Sequence, residues 1–124
     1  MIQIQEIGHY MLTKKKFDEL VKNGKPFIVT ANSPKGANYL TIDGWDCKEI
    51  TKECLKFLCS VLKCDYVGCI NLPSGITIIC DEDGLNKQLE PNDFATSLMR
   101  SEGFDNYGLP IVGDAVIAFP PKEK

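Results

Sequence analysis

The amino-acid sequence predicts an α+β domain in which a mixed or mainly antiparallel sheet of about six strands has two to three helices packed on it. Three observations lead there. Short apolar runs recur in pairs separated by turn residues, which is the pattern of hairpins. Between the pairs lie segments whose apolar residues repeat at helical spacing. Strands and helices do not alternate regularly, as a doubly wound parallel sheet requires, so the helices are expected against one face of the sheet.

Taken in order, Ile2 and Ile4, running on toward residues 7–10, read as a half-buried first strand because alternate residues point to opposite faces. Thr13 is placed to cap a short helix carrying Phe17, Leu20 and Val21, and Asn23-Gly24 supply its left-handed stop. Residues 26–30 form a strand with proline at its start, where no ladder bond is lost. A polar loop at 32–36 leads to the return strand at 38–42, closed by Asp43-Gly44. Asp46 with Glu49 resembles a capping box, and Ile50, Cys54, Phe57, Leu58, Val61 and Leu62 make one apolar stripe, so a helix is expected over 47–63. Residues 65–70 and 76–80 form a second hairpin whose second strand is apolar throughout and therefore interior. Pro91 is expected at the first position of a third helix with Phe94, Ala95, Leu98 and Met99 on one face. A loop over 101–108 and a last strand over 111–119, stopped by Pro120-Pro121, complete the chain.

At 124 residues, 44% apolar and 25% charged, the chain reads as a single domain over 1–124 with its own core. A net charge of −3, with Arg100 the sole arginine, leaves no basic face suited to duplex nucleic acid. No stretch approaches the roughly 18–20 apolar residues of a membrane span. The amino terminus alternates apolar and polar residues instead of forming a signal peptide, so a cytoplasmic location is expected and the six cysteines are expected to be thiols.

Cys54, Cys59, Cys64 and Cys69 recur every fifth residue, but five steps along a helix turn a side chain by about 140°, whereas metal knuckles use shorter gaps. They are read as core residues. His9, the only histidine, lies far in sequence from every cysteine and is read as a structural or surface residue. Asp81-Glu82-Asp83-Gly84 with Glu90 mimics part of a calcium loop, yet Ile79 falls where the first ligand belongs and Lys87 at another liganding position. It is read as an exposed acidic turn, with Asp81, Glu82 and Asp83 a candidate partner surface. Lys14-Lys15-Lys16 reads as a solvated face, and the loop at 32–36 lacks a following helix to hold phosphate. Asn92, Phe94, Arg100, Asn106 and Tyr107 form a candidate ligand-binding set, since arginine forks onto phosphate and an aromatic ring stacks on a base. No catalytic residue, metal ligand or cofactor is assigned.

From residue 55 to 119 the order of features is an apolar helix, two strands, the Asp81-Glu82-x-Gly84 turn, Pro91-Asn92, Ala95-Thr96 and a final strand holding Ile111-Val112-Gly113-Asp114-Ala115-Val116-Ile117. This half of the chain resembles a family of small proteins of unknown function encoded by bacteriophages, plasmids and other mobile elements. The resemblance implies a mobile-element origin, the cytoplasm of a bacterial host, and no established catalytic residues. The function expected from it is binding of a host or phage protein, with inhibition of a host protein or defence system; the alternative is a small-molecule binder that sequesters a nucleotide-type signal. The family's landmarks also have structural readings: Gly84 as a turn with positive φ, Pro91 and Asn92 as a helix start, and Gly113 as a bulge or close contact. A homo-oligomer is expected as one means of covering open sheet edges.

Overall fold

Consecutive apolar residues in three of the strands dictate a sheet buried on both faces, because neighbouring side chains of a strand point in opposite directions. In the computed structural model, which describes residues 3–7, 12–31, 36–43 and 52–120, the chain runs β1 (Gln3–Ile7), α1 (Lys14–Asn23), β2 (Phe27–Val29), β3 (Tyr39–Asp43), α2 (Lys52–Leu62), β4 (Val67–Asn71), β5 (Thr77–Asp81), α3 (Asp93–Ser101), a 3₁₀ turn (Asn106–Gly108) and β6 (Ala115–Ala118). The strands form one six-stranded sheet in the order β1-β3-β2-β6-β5-β4, and every neighbouring pair is antiparallel. Both expected hairpins are present, and β5 is interior, flanked by β4 and β6.

One face of the sheet buries Phe27, Val29, Ile78, Ala115 and Ile117 against Phe17 and Leu20 of α1 and Ala95 and Met99 of α3. The opposite face buries Ile28, Ile42, Ile79, Val116 and Ala118 against Cys54, Leu58 and Leu62 of α2. Helices therefore cover both faces, which corrects the expectation of a single covered face. The cause is the strands themselves: Phe27-Ile28-Val29, Ile78-Ile79 and Ala115-Val116-Ile117-Ala118 present apolar groups to both sides, and each fully buried Ile, Val or Phe contributes roughly 1.5–3 kcal/mol that water would otherwise cancel.

The helix ends follow from local chemistry. The Thr13 hydroxyl accepts from the Lys16 N–H at 3.1 Å, and Gly24 closes α1 at φ 70° with its N–H on the Val21 carbonyl. At the end of α2, Cys64 N–H reaches back to Cys59 O (3.0 Å) and Lys63 N–H to Ser60 O (3.3 Å), with Lys63 left-handed at φ 54°. This is a Schellman motif with a lysine where glycine is usual. The third helix begins two residues later than expected, at Asp93: Asn92 is the cap, and Pro91 lies outside it, bridged to Val112. The last strand is also shorter than expected, because Gly113 at φ 78° breaks the extended backbone before Ala115. His9, the loop at 32–35 and the capping box of Asp46 and Glu49 lie outside the described residues.

Candidate functional site

Asn92 is 0% exposed and ties three parts of the fold together. Its side-chain oxygen accepts from Ala95 N–H (3.1 Å), while its amide donates to Val29 O and Gly113 O, each at 3.0 Å. The Asn92 carbonyl in turn accepts from the Thr96 hydroxyl (2.8 Å), which itself accepts from Ile111 N–H (2.9 Å). A side chain with all these groups engaged inside the core is a joint between α3, β2 and the approach to β6. Asn92 thus leaves the candidate ligand set on geometric grounds.

The other four members of that set occupy separate environments. Phe94 is half-buried against Phe17, with ring centroids 5.2 Å apart. Arg100 is exposed in the last turn of α3. Asn106 lines a depression beside β4 and β5, and Tyr107 is 97% exposed at φ 57°. The structure does not bring the five together.

The acidic turn also differs from its expectation. Asp81 is buried: one carboxylate oxygen accepts from Asp83 N–H (2.9 Å) and the other from the Lys87 ammonium (2.7 Å). Burial pushes its carboxyl up, but the Lys87 hydrogen bond, the Asp83 N–H and the ammonium charge outweigh this and hold the pKa below 3.8. Only Glu82 and Asp83 of the proposed acidic surface face water. Gly84 does not have positive φ; it is small because a Cβ there would lie 2.9 Å from the Val112 side chain. Likewise a Cβ on Gly113 would meet Leu89 at 2.7 Å.

Two of the thiols are held in their protonated form. Burial first, then the Asp81 charge and Cys59, push Cys64 up to about 11, and burial, Cys69 and Asp81 push Cys80 to about 11 as well. A protonated thiol neither attacks a carbonyl nor binds metal readily. Contact between Cys59 and Cys64 is what the Schellman motif imposes on the residues at its two ends. Among the described residues no three His, Cys, Asp or Glu side chains gather as a metal site requires.

A groove of ≈ 260 Å³ lies between α1 and α3. Its apolar lining is Phe17, Val21, Phe94 and Leu98, with Lys14, Asp18, Asp93, Ser97 and Ser101 around it. The rings continue inward, Phe17 meeting Phe27 edge-on at 5.8 Å and Phe27 meeting Phe119 at 6.2 Å, so the groove floor rests on the sheet. Lys14 pairs with Asp18 at 3.0 Å on the rim. Phe17, Val21 and Leu98 were legible only as core positions. Val21, Phe94 and Leu98 are only partly buried, and no local pattern marks which edge of an apolar stripe the sheet leaves uncovered.

Fold and surface together define a three-layer α+β domain on an antiparallel sheet, bearing an apolar groove between two helices on one face. The chain belongs to the DUF3846 family, a domain of unknown function, whose profile matches residues 39–124. The expected membership of a family of unknown function is therefore found, over a span that begins before residue 55 and takes in β3. Neither the curated proteins nor the solved structures contain a match to the chain. No described helix is long and apolar enough to cross a membrane.

Proposed function

We propose that this protein acts by binding, seating an apolar segment of a partner protein in the groove between α1 and α3, and that the partner is a protein of a bacterial host engaged on behalf of a mobile element. The observation that carries the reading is the groove itself, whose lining of Phe17, Val21, Phe94 and Leu98 suits a few apolar side chains projecting from a helix or extended segment. Its ≈ 260 Å³ lies below the roughly 300–1,000 Å³ that enclose a small molecule, which favours a partner's side chains over a nucleotide. The charged rim of Lys14, Asp18 and Asp93 gives such a segment its orientation. Support for the mobile-element setting comes from the sequence resemblance over residues 55–119 to proteins of bacteriophages and plasmids.

The test compares capture from a bacterial lysate by the unaltered chain with capture by Ser97→Trp, which fills the groove from an exposed position, and by Val21→Glu, which charges its wall. A host protein retained by the unaltered chain and lost by both folded variants is the expected result. Equal capture by all three, or turnover of a substrate that the variants leave unchanged, would overturn the proposal.

A further inference from the structure

The outer edge of β4 has the geometry to pair with itself. In the β4–β5 ladder Val67 lies opposite Asp81, Cys69 opposite Ile79 and Asn71 opposite Thr77. The same ladder continues at both ends through bonds that fix its phase: Glu82 N–H donates to Tyr66 O (3.1 Å) and Leu72 N–H to Ile76 O (2.8 Å). Even-numbered residues of β4 therefore turn their N–H and C=O toward β5, and Val67, Cys69 and Asn71 turn theirs away from the sheet. Among the described residues β4 pairs with β5 alone, as the last strand of the sheet.

Natural sheets protect such an edge with lysine, proline, a bulge or a covering element. β4 is Val-Gly-Cys-Ile-Asn, with no charge, no proline and an unbroken register. We infer that β4 pairs antiparallel with β4 of a second copy of this chain, about a two-fold axis at Cys69, to give a continuous twelve-stranded sheet.

The register that overlaps all five residues sets Val67 against Asn71 of the second copy and Cys69 against Cys69. Each outward N–H then meets an outward C=O, making six hydrogen bonds in three reciprocal pairs. On the face shared with α3, this register puts Ile70 of one copy beside Gly68 of the other, so the position without a side chain receives the branched one. No charged side chain of β4 meets its own copy, although the chain carries a net charge of −3. A closed, isologous interface of this kind stops at two copies, since each chain uses its β4 edge once.

The experiment is sedimentation of the full chain across a dilution series, with two variants at the axis. Cys69→Pro removes the outward N–H while sparing the inward bonds made by residues 68 and 70, a change edge strands tolerate. Cys69→Lys keeps the backbone and sets two ammonium groups face to face across the seam. The expected result is a dimer for the unaltered chain, and for both variants a monomer of unchanged circular dichroism or a dimer dissociation constant raised about tenfold or more. A monomer throughout for the unaltered chain would overturn the inference, as would a Cys69→Lys dimer as tight as the original. If Cys69→Pro does not fold, Cys69→Lys alone decides. The groove variants Ser97→Trp and Val21→Glu leave the dimer intact, which separates this interface from the proposed partner site.

Discussion

Removing the Asn92 side chain is the sharpest perturbation available to this fold. Asn92→Ala deletes a helix cap, worth about 1 kcal/mol within a range of about 0.5–2. It also takes the donors from Val29 O and Gly113 O, buried carbonyls 3.0 Å away, at about 1 kcal/mol each toward the low end for unsatisfied groups. The sum, about 3 kcal/mol, is a large part of the roughly 5–15 kcal/mol that holds a domain folded. For a chain of this length it lowers the melting midpoint by about 10 °C and the urea midpoint by about 1.5 M. Asn92→Asp adds a pH signature. One of its oxygens keeps the Ala95 N–H, while the other faces the two carbonyls with no described cation beside it, so burial and that repulsion raise the carboxyl pKa in the folded state above its unfolded value near ~3.9. A raised folded pKa means stability that is fully present below the unfolded pKa and lost as pH rises through the folded one. The gap between Asn92→Asp and the unaltered chain is therefore wider at neutral pH than at pH ~4. Denaturant unfolding at several pH values measures both effects. An Asn92→Ala variant within ~0.5 kcal/mol of the original, or an Asn92→Asp gap independent of pH, would refute the assignment of Asn92 as a buried joint.

Three further outcomes follow from other parts of the molecule. Lys87→Met leaves Asp81 buried without its cation; because the Asp81 pKa is depressed in the folded state, its stabilisation is present above the unfolded value of 3.8 and lost as pH falls through the folded one, so the two proteins differ most near neutral pH and converge in acid. Equal stability of the pair across that range would show that Lys87 does not hold Asp81. Lys63→Gly relieves a left-handed lysine at the end of α2, a cost of roughly 1–2 kcal/mol offset in part by glycine's greater freedom when unfolded, so stability rises by about 0.5–1 kcal/mol in thermal melts; a lower melting midpoint contradicts the motif. A fragment spanning residues 39–124, the family match, lacks β2 and so loses the strand between β3 and β6. It is expected to unfold without a cooperative transition, and a sharp melt would show that Phe27, Ile28 and Val29 are dispensable to the core.

Local signals in the sequence were dependable where the chemistry was local. Thr13 and Gly24 bounded α1, and turn residues located both hairpins, because caps and tight turns are satisfied within a few residues. Long-range partners were not legible. Asn92 looked like a helix-start residue with spare hydrogen-bonding capacity, and nothing near it in sequence announced that Val29, 63 residues away, would take its amide. Asp81 looked exposed because its neighbours are charged, while the turn carries Lys87 back over it at a spacing with no helical or strand meaning. The second covered face was written in the consecutive apolar residues of β2, β5 and β6, which carry more than one face needs. The groove depends on α1 and α3 lying side by side on one face, although α2 and four strands separate them along the chain.

The proposal that this protein works through its α1–α3 groove is tested most directly by titrating the captured host protein into three forms of the chain: unaltered, Ser97→Trp in the groove, and Tyr107→Ala at the exposed ring outside it. The account predicts that Ser97→Trp weakens binding by about tenfold or more, the 1.4 kcal/mol or greater expected of a central contact, while Tyr107→Ala binds as the original does. Undiminished binding by a folded Ser97→Trp variant, with loss in Tyr107→Ala, would place the partner on the loop after α3 and contradict it.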